Sequence, residues 1–184
     1  MRQPPYAILA LVTVFASGCA AEVNRAPEVT LDERTGTTLS QLASPLQLLA
    51  TEPGAPHGDP FAFAAPFETN RMGQRQMYLW VAVPGDADRA AALSLSLNGQ
   101  ALELPPAASE AGALGIATLP YAAPAPWSRV FVFGLDEAAL RRLEAAQRIK
   151  LSVRYERGAP IEFAGAWDGN GVIAAFRRSL GLRD

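Results

Sequence analysis

The chain is poor in the residues that usually mark chemistry. It has one cysteine, Cys19, one histidine, His57, and one lysine, Lys150, in 184 residues. A lone cysteine excludes an internal disulfide, and with a single histidine it gives zinc no ligand cluster. Net charge is −2, so there is no electrostatic case for nucleic acid. No dinucleotide-type glycine loop, phosphate-binding loop or G-x-S-x-G elbow occurs. No apolar run reaches the roughly 20 residues that a spanning helix needs. The chain is instead rich in hydrophobic residues, 49%, with 15 each of Gly and Pro. That excludes a wholly disordered chain and points to one turn-rich domain with an ordinary packed core. No metal or other cofactor is expected.

The cysteine has a telling context. Residues 1–5 carry one charge, Arg2; residues 6–16 (YAILALVTVFA) are apolar apart from Thr13; Ser17 and Gly18 then precede Cys19. This is the charged, apolar and small-residue order of a secretory signal. The box Ala16-Ser17-Gly18-Cys19 resembles the lipobox of bacterial lipoproteins, with Ala16 where Leu is commonest. The resemblance implies cleavage between Gly18 and Cys19, diacylglycerol on the Cys19 thiol, and a fatty acyl group such as palmitate on the new amine. Two or more chains anchor a protein stably where one does not. Ala20, rather than Asp, follows the cysteine, which implies the outer membrane with the domain facing the periplasm. The alternative is a plainly secreted protein in which Cys19 is incidental. Removing residues 1–18 leaves 15 basic and 18 acidic residues, a net −3, so lipid rather than a basic patch must hold the chain.

Residues 20–45 are mostly polar and lack a strong period, and read as a flexible tether. The expected organisation is therefore a signal peptide at 1–18, a lipidated N-terminus and tether at 19–45, and a single β-rich domain at 46–184. In the domain, QMYLWVAV (76–83) is a strand apolar on both faces, ended by Pro84-Gly85, and VFVFGL (130–135) reads the same way. Leu93, Leu95 and Leu97 alternate with Ser94 and Ser96, and Asn98-Gly99 supplies a two-residue hairpin turn back to Leu102 and Leu104. Ile149, Leu151, Val153 and Tyr155 alternate with polar residues, and Ile161, Phe163 and Gly165 return on the same side. A short strand is expected at Ile116–Leu119. Helices are expected at 136–147, capped by Asp136, and at 171–181, capped by Asp168 or Asn170. The expected fold is mainly β, an antiparallel β-sandwich with two short helices; the alternative is α+β, with the helices packed on one antiparallel sheet.

Few residues suggest a site. His57, with Asp59 two positions on, is the only seed for a hydrolase, and no elbow supplies a serine. Glu68, Glu103, Glu162 and Asp168 fall on different elements, which does not compose a carboxylate pair. Asp168-Gly169-Asn170-Gly171 lacks the later acid of a calcium loop and reads as a turn and helix cap. The most distinctive segment is PFETNRMGQRQMYLW (66–80). There Arg71 and Arg75 beside Tyr78 and Trp80 are the candidate binding residues, suited to a carboxylate, a sugar or a partner protein. The competing reading is a loop salt bridge within the group Glu68, Arg71 and Arg75, plus core aromatics. Trp127 and Trp167 are weaker candidates. The expected function is a non-catalytic binding or assembly domain, held at the membrane by its lipid and meeting an envelope protein or polymer. Alternatives are a structural spacer and, less favoured, a hydrolase using His57.

Overall fold

The structure is a computed structural model that describes residues 26–182, except 56–57, 86–89, 157–158 and 167–168. Among the described residues, eleven strands form one antiparallel sheet. They are β1 (Pro27–Asp32), β2 (Thr37–Leu42), β3 (Leu46–Ala50), β4 (Phe61–Arg71), β5 (Gln74–Pro84), β6 (Ala90–Leu97), β7 (Gln100–Leu102), β8 (Pro106–Ala107), β9 (Ser128–Leu135), β10 (Arg148–Tyr155) and β11 (Ile161–Ala166). The main path runs β7-β6-β10-β11-β3-β4-β5-β9-β8, with β1 and β2 branching from β4. The path begins and ends on strands that are neighbours in the chain, joined by residues 103–105, and Gly134 N–H donates to Pro105 O at 2.8 Å. The sheet therefore curls until its two edges approach. The mainly β, antiparallel expectation holds, in the form of one continuous curled sheet.

β4 organises the branch. Its first half pairs with β3, Leu46 opposite Ala64, and its second half pairs with β2 on the same edge, Thr38 opposite Asn70. Residues 43–45 interrupt this edge, and Pro45 cannot donate to a ladder. There the sheet forks, to β1 beyond β2 and to β11 beyond β3. The expected tether is thus corrected: residues 27–42 are a hairpin built into the sheet, and Leu42 is wholly buried.

The interior face carries Leu48, Ala62, Leu79, Val81, Ile149, Leu151 and Phe163, all essentially inaccessible. Gly165 is needed there: a Cβ on it would lie 2.6 Å from Leu48 Cδ2 and 3.1 Å from Gln47 O. The β6–β7 turn has Asn98 at φ 49° and Gly99 at φ 83°, the left-handed values a two-residue hairpin requires. The opposite face of β4 and β5, with Phe67, Trp80 and Ala82, is also buried. It is covered by the connection between β8 and β9, pinned at three points. Thr37 Oγ1 donates to Gly115 O at 2.7 Å, Ala117 N–H donates to Asp32 Oδ2 at 2.6 Å, and Leu42 N–H donates to the Tyr121 hydroxyl at 2.9 Å. The strand expected at Ile116–Leu119 is absent; a 3-10 turn, Ala111–Leu114, ends at left-handed Gly115 instead, and Leu114 and Ile116 are buried.

Helix α1 (Glu137–Ala145) starts as expected, Asp136 accepting from Ala139 N–H at 2.7 Å, and buries Leu140 and Leu143. Helix α2 (Ala174–Ser179) is shorter than expected and follows a π-helical turn, Gly169–Ile173. Asn170 lies inside that turn, so it is not the N-cap, and Asp168 lies outside the described residues. Buried Arg177 ties the helices together, its Nε donating to Glu144 Oε2 at 2.6 Å.

Candidate functional site

The β4–β5 hairpin gathers all four candidate binding residues but gives them different roles. Met72 (φ 52°) and Gly73 (φ 82°) form its turn, and Asn70 Oδ1 accepts from Gly73 N–H at 3.1 Å. The register sets Asn70 opposite Arg75 and Glu68 opposite Met77, so Glu68 and Arg75 are diagonal neighbours on one face. Arg75 grips the Glu68 carboxylate through Nε, at 3.1 Å to each oxygen, and Nη2, at 2.7 Å. Glu68 is 4% exposed and Arg75 40%. The hydrogen bonds to Glu68 raise the Arg75 pKa above its ordinary value. Nη2 also donates to Leu180 O at 2.8 Å, at the end of α2. Arg75 is thereby committed to neutralising an enclosed acid and holding the C-terminal helix.

The aromatics belong to the core. Trp80 is 0% exposed and lies with its ring centroid 5.2 Å from that of Tyr121. It cannot touch a ligand in this conformation, and its indole N–H has no hydrogen-bond partner among the described residues. Tyr78 is buried and stacked on Phe67 at 5.1 Å, its hydroxyl bonded to Gln76 Oε1, and burial raises its pKa. Arg71, at the hairpin tip beside fully exposed Met72, is open to solvent.

The remaining candidates divide cleanly. Gly18, Cys19, His57, Trp167 and Asp168 lie outside the described residues. Asp59 accepts from Phe61 N–H at 3.1 Å and so caps the start of β4. Glu162 pairs with Lys150 at 2.9 Å, and Glu103 is exposed after β7. Trp127 is partly exposed just before β9. Among the described residues, no group of three His, Cys, Asp or Glu is placed to hold a metal ion, and no helix is long and apolar enough to cross a membrane.

Two surfaces escaped the sequence. The first is a groove of about 270 Å³ at the seam where the curled sheet's edges approach. Ser94, Ser96, Ser152 and Lys150 line it together with Leu104 and Phe133. The register explains the polar part: Ser94 is opposite Ser152 and Ser96 opposite Lys150, so all four share the outer face of β6 and β10. The alternating Leu-Ser pattern signalled that face, but nothing local signalled that Phe133 of β9 would line the same groove.

The second surface is a corner formed by two hairpin tips. Leu31 is opposite Thr38, and Thr38 is opposite Asn70, so the β1–β2 turn and the β4–β5 turn lie at the same end of the sheet. Val29 and Leu31, each 62% exposed, share one face of β1, and Met72 is 96% exposed. Arg34 and Arg71 are exposed at the two tips. The signal in the sequence was the short alternation Val29-Thr30-Leu31, too brief to stand out. No protein-family model, curated protein or solved structure matches the chain.

Proposed function

We propose that this protein is a lipid-anchored lipoprotein of the bacterial cell envelope, with a non-catalytic domain that binds or assembles with another envelope component. The observation that carries the reading is the box Ala16-Ser17-Gly18-Cys19 at the end of a short apolar run. Ala20 favours the outer membrane, with the domain in the periplasm. The seam groove supports a binding role, because its lining combines serine hydroxyls with apolar side chains, the usual composition of a surface that orients a ligand.

Fractionation of cells making the wild-type chain and Cys19→Ala tests the anchor. The wild type is expected in the membrane fraction at the cleaved size and the variant either uncleaved or released; the same size and the same fraction for both overturns it. Crosslinking in living cells before purification tests the binding role. A reproducible co-purifying chain or glycan supports it, and a bare protein at every crosslinker length favours a structural spacer.

A further inference from the structure

We infer that the corner formed by the β1–β2 and β4–β5 tips rests on the same bilayer that holds Cys19. This deepens the lipoprotein reading and depends on it. The link from the anchor to the domain is short. Eight peptide steps separate Cys19 from Pro27, where β1 begins. Fully extended, they reach about 29 Å at most. A domain of this size is about 40 Å across, so Pro27 is held nearer to the anchoring surface than the domain's own width. From Pro27 to the far end of β1 is about 17 Å, which lies within that reach.

The corner also gathers exposed apolar side chains. Of the six large hydrophobic side chains exposed among the described residues, Val29, Leu31 and Met72 lie here. β1 is an edge strand paired only with β2 among the described residues, and although α2 lies near β1, Val29 and Leu31 each stay 62% exposed. Arg34 and Arg71 stand at the tips beside them, suited to lie against phosphate headgroups while the apolar side chains enter the interface. Of the neighbouring acids, Asp32 is engaged by Ala117 N–H, Glu68 by Arg75, and Glu28 is on the other face of β1; Glu33 is the one exposed acid at the tip. Asp32 keeps its charge on that N–H bond, so Arg34 and Arg71 balance Asp32 and Glu33, and three apolar side chains beside a balanced charge fit the interface of a bilayer better than a second copy of this strand. Antiparallel pairing of two β1 strands about Thr30 would set Glu28 against Asp32.

The test uses the full-length protein, purified from membranes and reconstituted in vesicles of phosphatidylethanolamine and phosphatidylglycerol. If Cys19 carries lipid, a new cysteine is the only free thiol. Leu31→Cys, Met72→Cys and, as a control at the β6–β7 hairpin, Gln100→Cys are each labelled with an environment-sensitive fluorophore. All three positions are exposed, so folding is preserved. Nitroxide-bearing lipid is expected to quench the labels at 31 and 72 at least threefold more than the label at 100. Adding Val29→Asp is expected to remove the quenching at 72. Equal quenching at all three positions overturns the inference, as does shielding at 31 without quenching, which would mean a protein neighbour. Two labels per chain with no vesicle association would overturn the anchor and the corner together.

Discussion

β5 and β10 are both paired on two sides, yet they bury differently. β10 alternates, with Ile149, Leu151 and Val153 inside and Lys150 and Arg154 in water. β5 is buried on both faces from Tyr78 to Pro84. The difference comes from the connection between β8 and β9, which lies over one side of β5 and, among the described residues, has no counterpart over β10. An irregular, Pro- and Ala-rich segment does the work of a second layer. It can do so because side-chain hydrogen bonds tie it to the sheet. Thr37 and Asp32 reach out from the sheet, Tyr121 reaches in from the segment, and together they satisfy backbone groups that a regular ladder would otherwise pair.

Substitutions can break this comparison, and the largest effect belongs to the doubly covered strand. Trp80→Ala empties a wholly enclosed site and is expected to cost about 3–5 kcal/mol in denaturant unfolding. Arg75→Ala leaves Glu68 enclosed without its partner. Because Arg75 is itself 40% exposed, the expected loss is nearer about 3 kcal/mol, and Glu68→Gln with Arg75→Ala is expected to recover part of it. Gly165→Ala drives a methyl into Leu48 and is expected to cost about 1–3 kcal/mol. Tyr121→Phe removes one anchor of the covering segment, for about 1 kcal/mol. Ser152→Val, on the open face of β10, is expected to stay within about 0.5 kcal/mol. A loss at Ser152 as large as that at Trp80 would mean that the outer face of β10 is covered too.

The two strands' surroundings also respond to opposite ends of the pH scale. Over β5, the Ala117 N–H holds the Asp32 carboxyl below its ordinary value. A depressed folded pKa gives stability that is present above the unfolded value and lost as pH falls through the folded one. On β10, burial pushes Tyr155 up to about 12, and its hydroxyl donates to Pro84 O at 2.6 Å. A raised folded pKa gives stability that is complete below the unfolded value near 10 and lost as pH rises toward 12. Thermal unfolding of Asp32→Asn should show a shallower acid-side slope than the wild type, and Tyr155→Phe a shallower alkaline-side slope.

Elements with a strong local signal were legible in the sequence. Asn98-Gly99, the alternation of β10 and β11, and the cap of α1 at Asp136 each need only neighbouring residues to be recognised. β1 and β2 were not, because β2 is made a strand by β4, about thirty residues later, and β1 by β2 alone. The start of α2 was missed because a π-helical turn, Gly169–Ile173, leads into it. At the candidate site, residue types were a poor guide to availability. Arg75 and Trp80 have the chemistry of a binding surface, but register places one against Glu68 and packing encloses the other. Arg71 differs only in standing at the tip, a fact set by the Met72-Gly73 turn.

The central claim is the lipid on Cys19, and the mass of the N-terminal peptide from membrane-purified protein tests it most directly. The account predicts a peptide beginning at Cys19 and carrying the added mass of diacylglycerol and a fatty acid. A peptide that retains residues before Cys19, or one with a free Cys19 thiol, would contradict it.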